Sequence, residues 1–279
     1  MESVKDSTVC SSEAQWMKNL WHWASENGIP NSIIPRSKEH LFQIQELTIG
    51  RMDSPVMFEN VGSETFSNKI NYVPKELGNL KGLTKLTIHS WESGDIPEEI
   101  FNLENLTFLS IGKGDLTEIS PKIGKLKKLK HLSIHENLIT DLPKELFALT
   151  SLTKLCIMDN PIGEVPKEIC RLINLEDLYI NGTNITELPK EIGHLINMDE
   201  MMIDRNRLQS VPDEISHLTN IRFLGLDYNQ LTELPDITSL TKLEILYLKN
   251  NCFEDVSQVM KQVLDPNNEI KRPELQIKC

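Results

Sequence analysis

The chain lacks any run of about 18 apolar residues, which excludes a conventional membrane-spanning helix. It has no CxxC pair, so a zinc ribbon or a thioredoxin-type centre is not expected. No GxxxxGK[ST], no GxGxxG after a strand and no GxSxG occurs, which removes the common phosphate-cradling and serine-nucleophile devices. "HENLI" at His135 is not the HExxH of a zinc protease. Positive charge is also scarce: 29 Lys and Arg stand against 41 Asp and Glu, for a net charge of −12. A general nucleic-acid binder must neutralise phosphates, so neither nucleic acid nor an anionic membrane surface is an expected partner. The acidic balance chiefly favours solubility and points, more weakly, to a partner with a basic surface.

The opening "MESVKDSTVC" carries charge and no apolar segment, so no conventional secretory signal is expected. Five cysteines, Cys10, Cys156, Cys170, Cys252 and Cys279, are an odd count without pairing motifs. Free thiols in a reducing, cytoplasmic compartment are the simplest reading. The Asn-x-Thr sequons at Asn105, Asn181 and Asn184 then carry no meaning. The terminal Cys279 is not a prenylation box, which needs three residues after its cysteine.

What the chain has is a repeat. The pattern L-x-x-L-x-I-x-x-N-x-I/L-x-x-L-P starts at Leu83, Leu106, Leu129, Leu152, Leu175, Met198, Ile221 and Leu243, in steps of 23 residues except the last, which is 22. A weaker copy precedes it at Ile44, Leu47 and Ile49. A strand such as Leu178-Tyr179-Ile180 sends alternate side chains to opposite faces, so Leu178 and Ile180 point inward and Tyr179 outward. A single repeat cannot bury its apolar face alone, so stability comes from its neighbours. The Pro column (Pro74, Pro97, Pro143, Pro166, Pro189, Pro212, Pro235) fixes φ where the chain turns outward, with a one-residue slip at Ser120-Pro121. The E-I-x-x-L that follows, as in Ile169 and Leu172, suits a short helical or 3₁₀ turn.

Over residues 44–256 the sequence resembles the leucine-rich repeat family. The "VPKEICRL" and "LPKEIGHL" segments are similar to the 23-residue LPxEI type of Ras-group and bacterial intracellular proteins. The resemblance implies an α/β repeat solenoid, a horseshoe with a parallel concave β-sheet. It also implies that Asn137, Asn160, Asn206, Asn229 and Asn251 form a ladder whose amides satisfy backbone groups, with gaps at Trp91, Gly114 and Thr183. Fold does not decide function. Some bacterial members carry a separate ubiquitin-ligase domain beyond the repeats; no C-x-D motif is present here.

Three regions are expected. Residues 1–43 read as a helical N-terminal cap, with Trp16, Leu20 and Trp23 on one helix face and a second helix N-capped by Ser37. Residues 44–252 hold about nine repeats, with an insertion near 50–70 that is either a binding loop or a bland one. Residues 253–279 read as a closing helix and tail.

No catalytic, cofactor-binding or metal residue is identified. His131 and His135 lie about 13 Å apart along one strand, and His89 and His135 about 10 Å apart across two repeats, too far to share a metal. Cys156 has no base placed beside it by the register. Only the concave slots remain free for function. In "MDEMMIDRN" the core takes Met198, Met201 and Ile203, and Asn206 joins the Asn column; Glu200, Met202, Asp204 and Arg205 are displayed. The N-terminal half displays small and polar residues. From Met158 onward the face shows Met158, Tyr179, Met202, Phe223, Tyr228 and Tyr247, with Asp159, Asp177, Glu200, Asp204 and Asp227 among them. Aromatic and Met side chains rimmed by charge are the composition of an interface centre.

The sequence therefore points to a non-enzymatic protein-interaction scaffold, monomeric, that binds a protein on this concave surface. A narrower reading is an effector translocated into host cytoplasm by an intracellular bacterium. The alternative is a targeting or regulatory subunit acting with a separate enzyme.

Overall fold

Each repeat supplies one short strand, and the strands stack in sequence order. The computed structural model describes residues 6–50, 69–92, 94–254 and 276–278. Among the described residues ten strands form one sheet, β1 to β10 in order, and every neighbouring pair is parallel. They are β1 (Glu46–Ile49), β2 (Lys85–His89), β3 (Phe108–Gly112), β4 (His131–His135), β5 (Lys154–Cys156), β6 (Asp177–Tyr179), β7 (Glu200–Met202), β8 (Phe223–Gly225), β9 (Ile245–Tyr247) and β10 (Gln276–Lys278). The register sets Leu155 against Leu178 and Leu178 against Met201, so the repeat columns read from sequence are columns in space. The sheet is the concave face of the horseshoe. One apolar core runs behind it from Met17 to Leu248.

Behind the core the described residues return through seven five-residue 3₁₀ turns. Six are preceded by a proline, whose fixed φ sets the entry: Pro74, Pro97, Pro143, Pro166, Pro189 and Pro212. In one of them Ile169 N–H donates to Pro166 O and Leu172 N–H to Ile169 O, both at 3.0 Å, which buries both apolar side chains. At the slipped repeat the Ser120 hydroxyl takes over, accepting from Lys122 N–H.

The residue before each ladder position has positive φ. Ser90, Lys113, Glu136, Asp159, Arg205, Tyr228 and Asn250 all lie between 50° and 58°, and Gly182 at 65°. A left-handed residue reverses the chain at the end of the strand, at a cost of about 1–2 kcal/mol for a side chain other than glycine. The ladder offsets that cost. Asn160 Nδ2 donates to Ile134 O (2.8 Å), Ile157 O (3.1 Å) and Met158 O (3.0 Å), and its Oδ1 accepts from Ile139 N–H (3.2 Å). Asn206 and Asn229 repeat these bonds. Thr183 fills its gap with a hydroxyl that donates to Ile180 O. The gaps at Trp91 and Gly114 answer each other: the indole lies where a Gly114 Cβ would stand.

A second amide ladder, absent from the reading of the sequence, runs along the edge that leads into the strands. Asn105, Asn174, Asn197 and Asn220 each donate to a carbonyl one repeat back, at Lys81, Thr150, Ile173 and Ile196, over 2.8–3.0 Å.

At the N-terminal end α1 (Asp6–Glu26) buries Leu20 and Trp23, and Trp23 Nε1 donates to Tyr72 O at 2.9 Å. Gly28, at φ +68°, ends it. The second helix, α2 (Lys38–Leu41), is a single turn. Ser37 occupies its N-cap position but makes no capping bond; its hydroxyl meets His40 Nδ1 instead, at 2.6 Å. The insertion near 50–70 and the closing helix after residue 253 fall almost wholly outside the described residues.

Candidate binding surface on the concave sheet

Side chains on the concave face do not stand up from the sheet. They lie along it, onto the neighbouring strand, and glycines make room for them. A Cβ at Gly112 would come within 2.5 Å of the His135 ring, one at Gly182 would strike the Asp159 carboxylate, and one at Gly225 would meet Met202 Sδ at 2.5 Å. Slots that alternate outward along a strand are therefore partly closed sideways.

This changes three residues read as open. Tyr179 projects to the concave side but is only 4% exposed, and its hydroxyl donates to Glu200 Oε2 at 2.6 Å. Burial and the Glu200 carboxylate push its phenol far above the ordinary value. Asp177 is 6% exposed and holds Lys154 Nζ at 2.7 Å. Glu200, half-buried, serves Tyr179. These three form a packed polar seam, in which Tyr179 and Asp177 are buried and Glu200 is half-buried.

The remaining predicted residues stay accessible. Met158, Met202, Asp204, Phe223, Asp227 and Tyr247 are half-buried, and Asp159 and Tyr228 are exposed. Tyr228 is the most open aromatic of the group, 48% exposed, with the Arg205 guanidinium 5.9 Å from its ring centre. Asp204 and Asp227 also hold the turns: Asp204 Oδ1 accepts from Asp227 N–H (2.9 Å), and Asp227 Oδ1 from Lys249 N–H (2.6 Å). Burial raises the pKa of Asp204; burial and then Glu136 raise that of Asp159. The accessible patch runs from β5 to β9, apolar along its middle and acidic at its strand-exit side.

The N-terminal half holds a feature that column distances misjudge. His89 and His135 are not about 10 Å apart; their ring centres are 5.0 Å apart, edge to face. Gly112 between them leaves the space into which His135 lies. His89 Nε2 meets Ser110 Oγ at 3.0 Å and His135 Nδ1 meets Ser133 Oγ at 2.9 Å. Burial, then the neighbouring His135 and Lys113, drop the His89 pKa to about 3, and burial with Lys113 lowers that of His135. The signal was in the sequence, in a glycine flanked within its column by two histidines.

Cys156 is 3% exposed and burial raises its thiol pKa, away from a reactive thiolate. Among the described residues no three His, Cys, Asp or Glu side chains converge on one point. No helix among them is long and apolar enough to cross a membrane.

The 23-residue period, the ordered parallel sheet and the Asn ladder together define the class. The chain matches the family described as leucine-rich repeat region over residues 64–158, 114–214 and 163–265, and it belongs to that family. Comparison with curated proteins finds no match. Among solved structures, an internalin (InlF) from Listeria monocytogenes aligns with a TM-score of 0.66 at 20% identity, covering 86% of this chain and 64% of that one. The plant peptide hormone receptor RGFR1, solved in complex with RGF2, aligns at 0.55 and 32% identity over 61% of this chain and 29% of its own. TLR13, solved in complex with a single-stranded RNA, aligns at 0.57 and 28% identity over 64% and 26%. The chain thus spans less than two thirds of each of these three chains.

Proposed function

We propose that the protein is a non-enzymatic scaffold whose concave sheet, between β5 and β9, captures a protein partner. The observation that carries this is the accessible row Met158, Met202, Phe223, Tyr228 and Tyr247 beside Asp159, Asp204 and Asp227. A face of this composition, apolar along its middle and charged at its edge, suits a protein surface better than a small substrate. The acids favour a basic partner surface. RGFR1, with its peptide hormone in the solved complex, is consistent with a peptide or protein ligand. TLR13, solved with RNA, shares the architecture, so it is the charge of −12 and not the fold that argues against nucleic acid here.

The repeats are of the 23-residue LPxEI type, and the organisation is a helical cap over 1–43, a solenoid over 44–252 and a closing segment over 253–279. The protein works as a monomer in a cytoplasm. Free thiols and the repeat type suit an effector delivered into a host cell and a resident cytosolic scaffold equally, and translocation of a tagged copy decides between them. For the scaffold itself the test is capture by immobilised protein. Wild type is compared with a Met202→Ala, Phe223→Ala, Tyr228→Ala variant, with circular dichroism confirming the fold of each. Loss of the retained partner by the variant supports the reading. Undiminished capture by a folded variant contradicts it.

A further inference from the structure

Three departures from the repeat fall together. The apolar column Leu116, Ile139, Ile162, Ile185, Leu208, Leu231 reads Ser93 in the preceding repeat. The Asn column reads Gly114 one repeat later, and the Pro column slips at Ser120-Pro121. Where these repeats meet, on the flank between the strands and the 3₁₀ turns, the structure has a cavity of about 190 Å³. Ile96, Phe101, Ile111, Leu116, Ile119 and Ile134 wall it. Packed interiors leave few voids larger than a water molecule, so an opening of this size departs from ordinary core packing.

The rim is acidic. Asp95, Glu98 and Glu118 line it. Glu98 is engaged by Lys122 and by the Ser120 hydroxyl. The Asp95 and Glu118 carboxylates have no hydrogen bond or ion pair among the described residues. Sites for drug-sized ligands span about 300–1,000 Å³. This one is smaller, on the scale of a single side chain. An apolar hole with unpaired carboxylates at its mouth is complementary to an apolar group held beside a positive charge. Buried anchor side chains of this kind carry much of the energy of an interface.

We propose that this flank cavity receives one apolar side chain of a partner peptide, carried next to a lysine or arginine. The site is separate from the concave patch, so either assignment can fail without the other.

The test is methyl NMR on protein labelled at the isoleucine δ-methyls, of which Ile96, Ile111, Ile119 and Ile134 report on the cavity. Four probes are titrated: 3-methylbutylammonium, 3-methylbutan-1-ol, 3-methylbutanoate and acetyl-Leu-Lys-amide. The first three share a carbon skeleton and differ in charge. Saturable shifts at these four methyls are expected, with the ammonium binding about five-fold tighter than the alcohol and the carboxylate weakest. The dipeptide is expected to bind at least as tightly as the ammonium. Asp95→Asn with Glu118→Gln, both at the surface, brings the ammonium down to the level of the alcohol. Leu116→Phe narrows the cavity and weakens every probe; should it not fold, the carboxylate variant decides alone. Equal binding of the three charge forms, or no saturation, overturns the proposal. Binding of the free ammonium without the dipeptide overturns the peptide assignment.

Discussion

Replacing Asn160 tests the account of how the strands are held at their exits. Its amide links two repeats: it donates to Ile134 O in the preceding repeat and accepts from Ile139 N–H, while also bonding Ile157 O and Met158 O. Asn160 is 1% exposed, so water cannot easily replace these bonds. In Asn160→Ala at least two backbone groups, Ile134 C=O and Ile139 N–H, lose this partner. At about 1–3 kcal/mol for each of these two buried groups left unsatisfied, the loss is about 2–6 kcal/mol. Asn160→Asp is the sharper variant, because it keeps shape and acceptor but turns a carboxylate oxygen toward three carbonyls. It should cost at least as much as Ala. Asn160→Thr should cost less than Ala, because Thr183 already shows a hydroxyl donating to its own local carbonyl, Ile180 O, at 2.8 Å. Urea unfolding followed by circular dichroism gives the three values. An Asp variant within about 0.5 kcal/mol of wild type, the range of an ordinary surface change, would refute the donor role.

Two further outcomes follow from the concave face. His89 has a folded pKa of about 3 against the ordinary 6.5, so the unfolded chain binds its proton first. Its contribution is complete above pH 6.5 and is lost as pH falls toward 3, by up to roughly 5 kcal/mol. Unfolding midpoints from pH 7 to 4 should therefore fall more steeply for wild type than for His89→Gln, and equal slopes would contradict the assignment. Gly182 has φ +65° and abuts the Asp159 carboxylate, so Gly182→Ala should cost about 1–2 kcal/mol. Adding Asp159→Ala should recover part of that in a double-mutant cycle, whereas additive losses would show that the two do not touch.

The backbone plan was legible because one column does one job along the chain. Leu178 and Met201 take the same core slot whatever their chemistry, and proline sets the entry to six of the seven 3₁₀ turns. Lateral packing was not legible from a single strand. Tyr179 alternates outward as expected, yet it is closed over by its neighbours and tied to Glu200. Alternation gives the face of a side chain but not the direction in which it leans. That direction depends on the residue one repeat away, as with His135 over Gly112 and Asp159 over Gly182. The second amide ladder is hard to read in the sequence for a related reason: Asn105, Asn174, Asn197 and Asn220 are interrupted by Lys128 and Ser151 in the same column. Lys128 does not break the linkage, since its ammonium donates to Asn105 Oδ1 at 2.7 Å.

The most direct test of the central claim is hydrogen–deuterium exchange on the protein alone and bound to the partner it retains. The account predicts slowed exchange confined to peptides covering 154–160, 200–206, 223–229 and 245–250, the strands and exits that carry the accessible patch. Protection confined instead to the 3₁₀ turns behind the core, with these four segments unchanged, would contradict it.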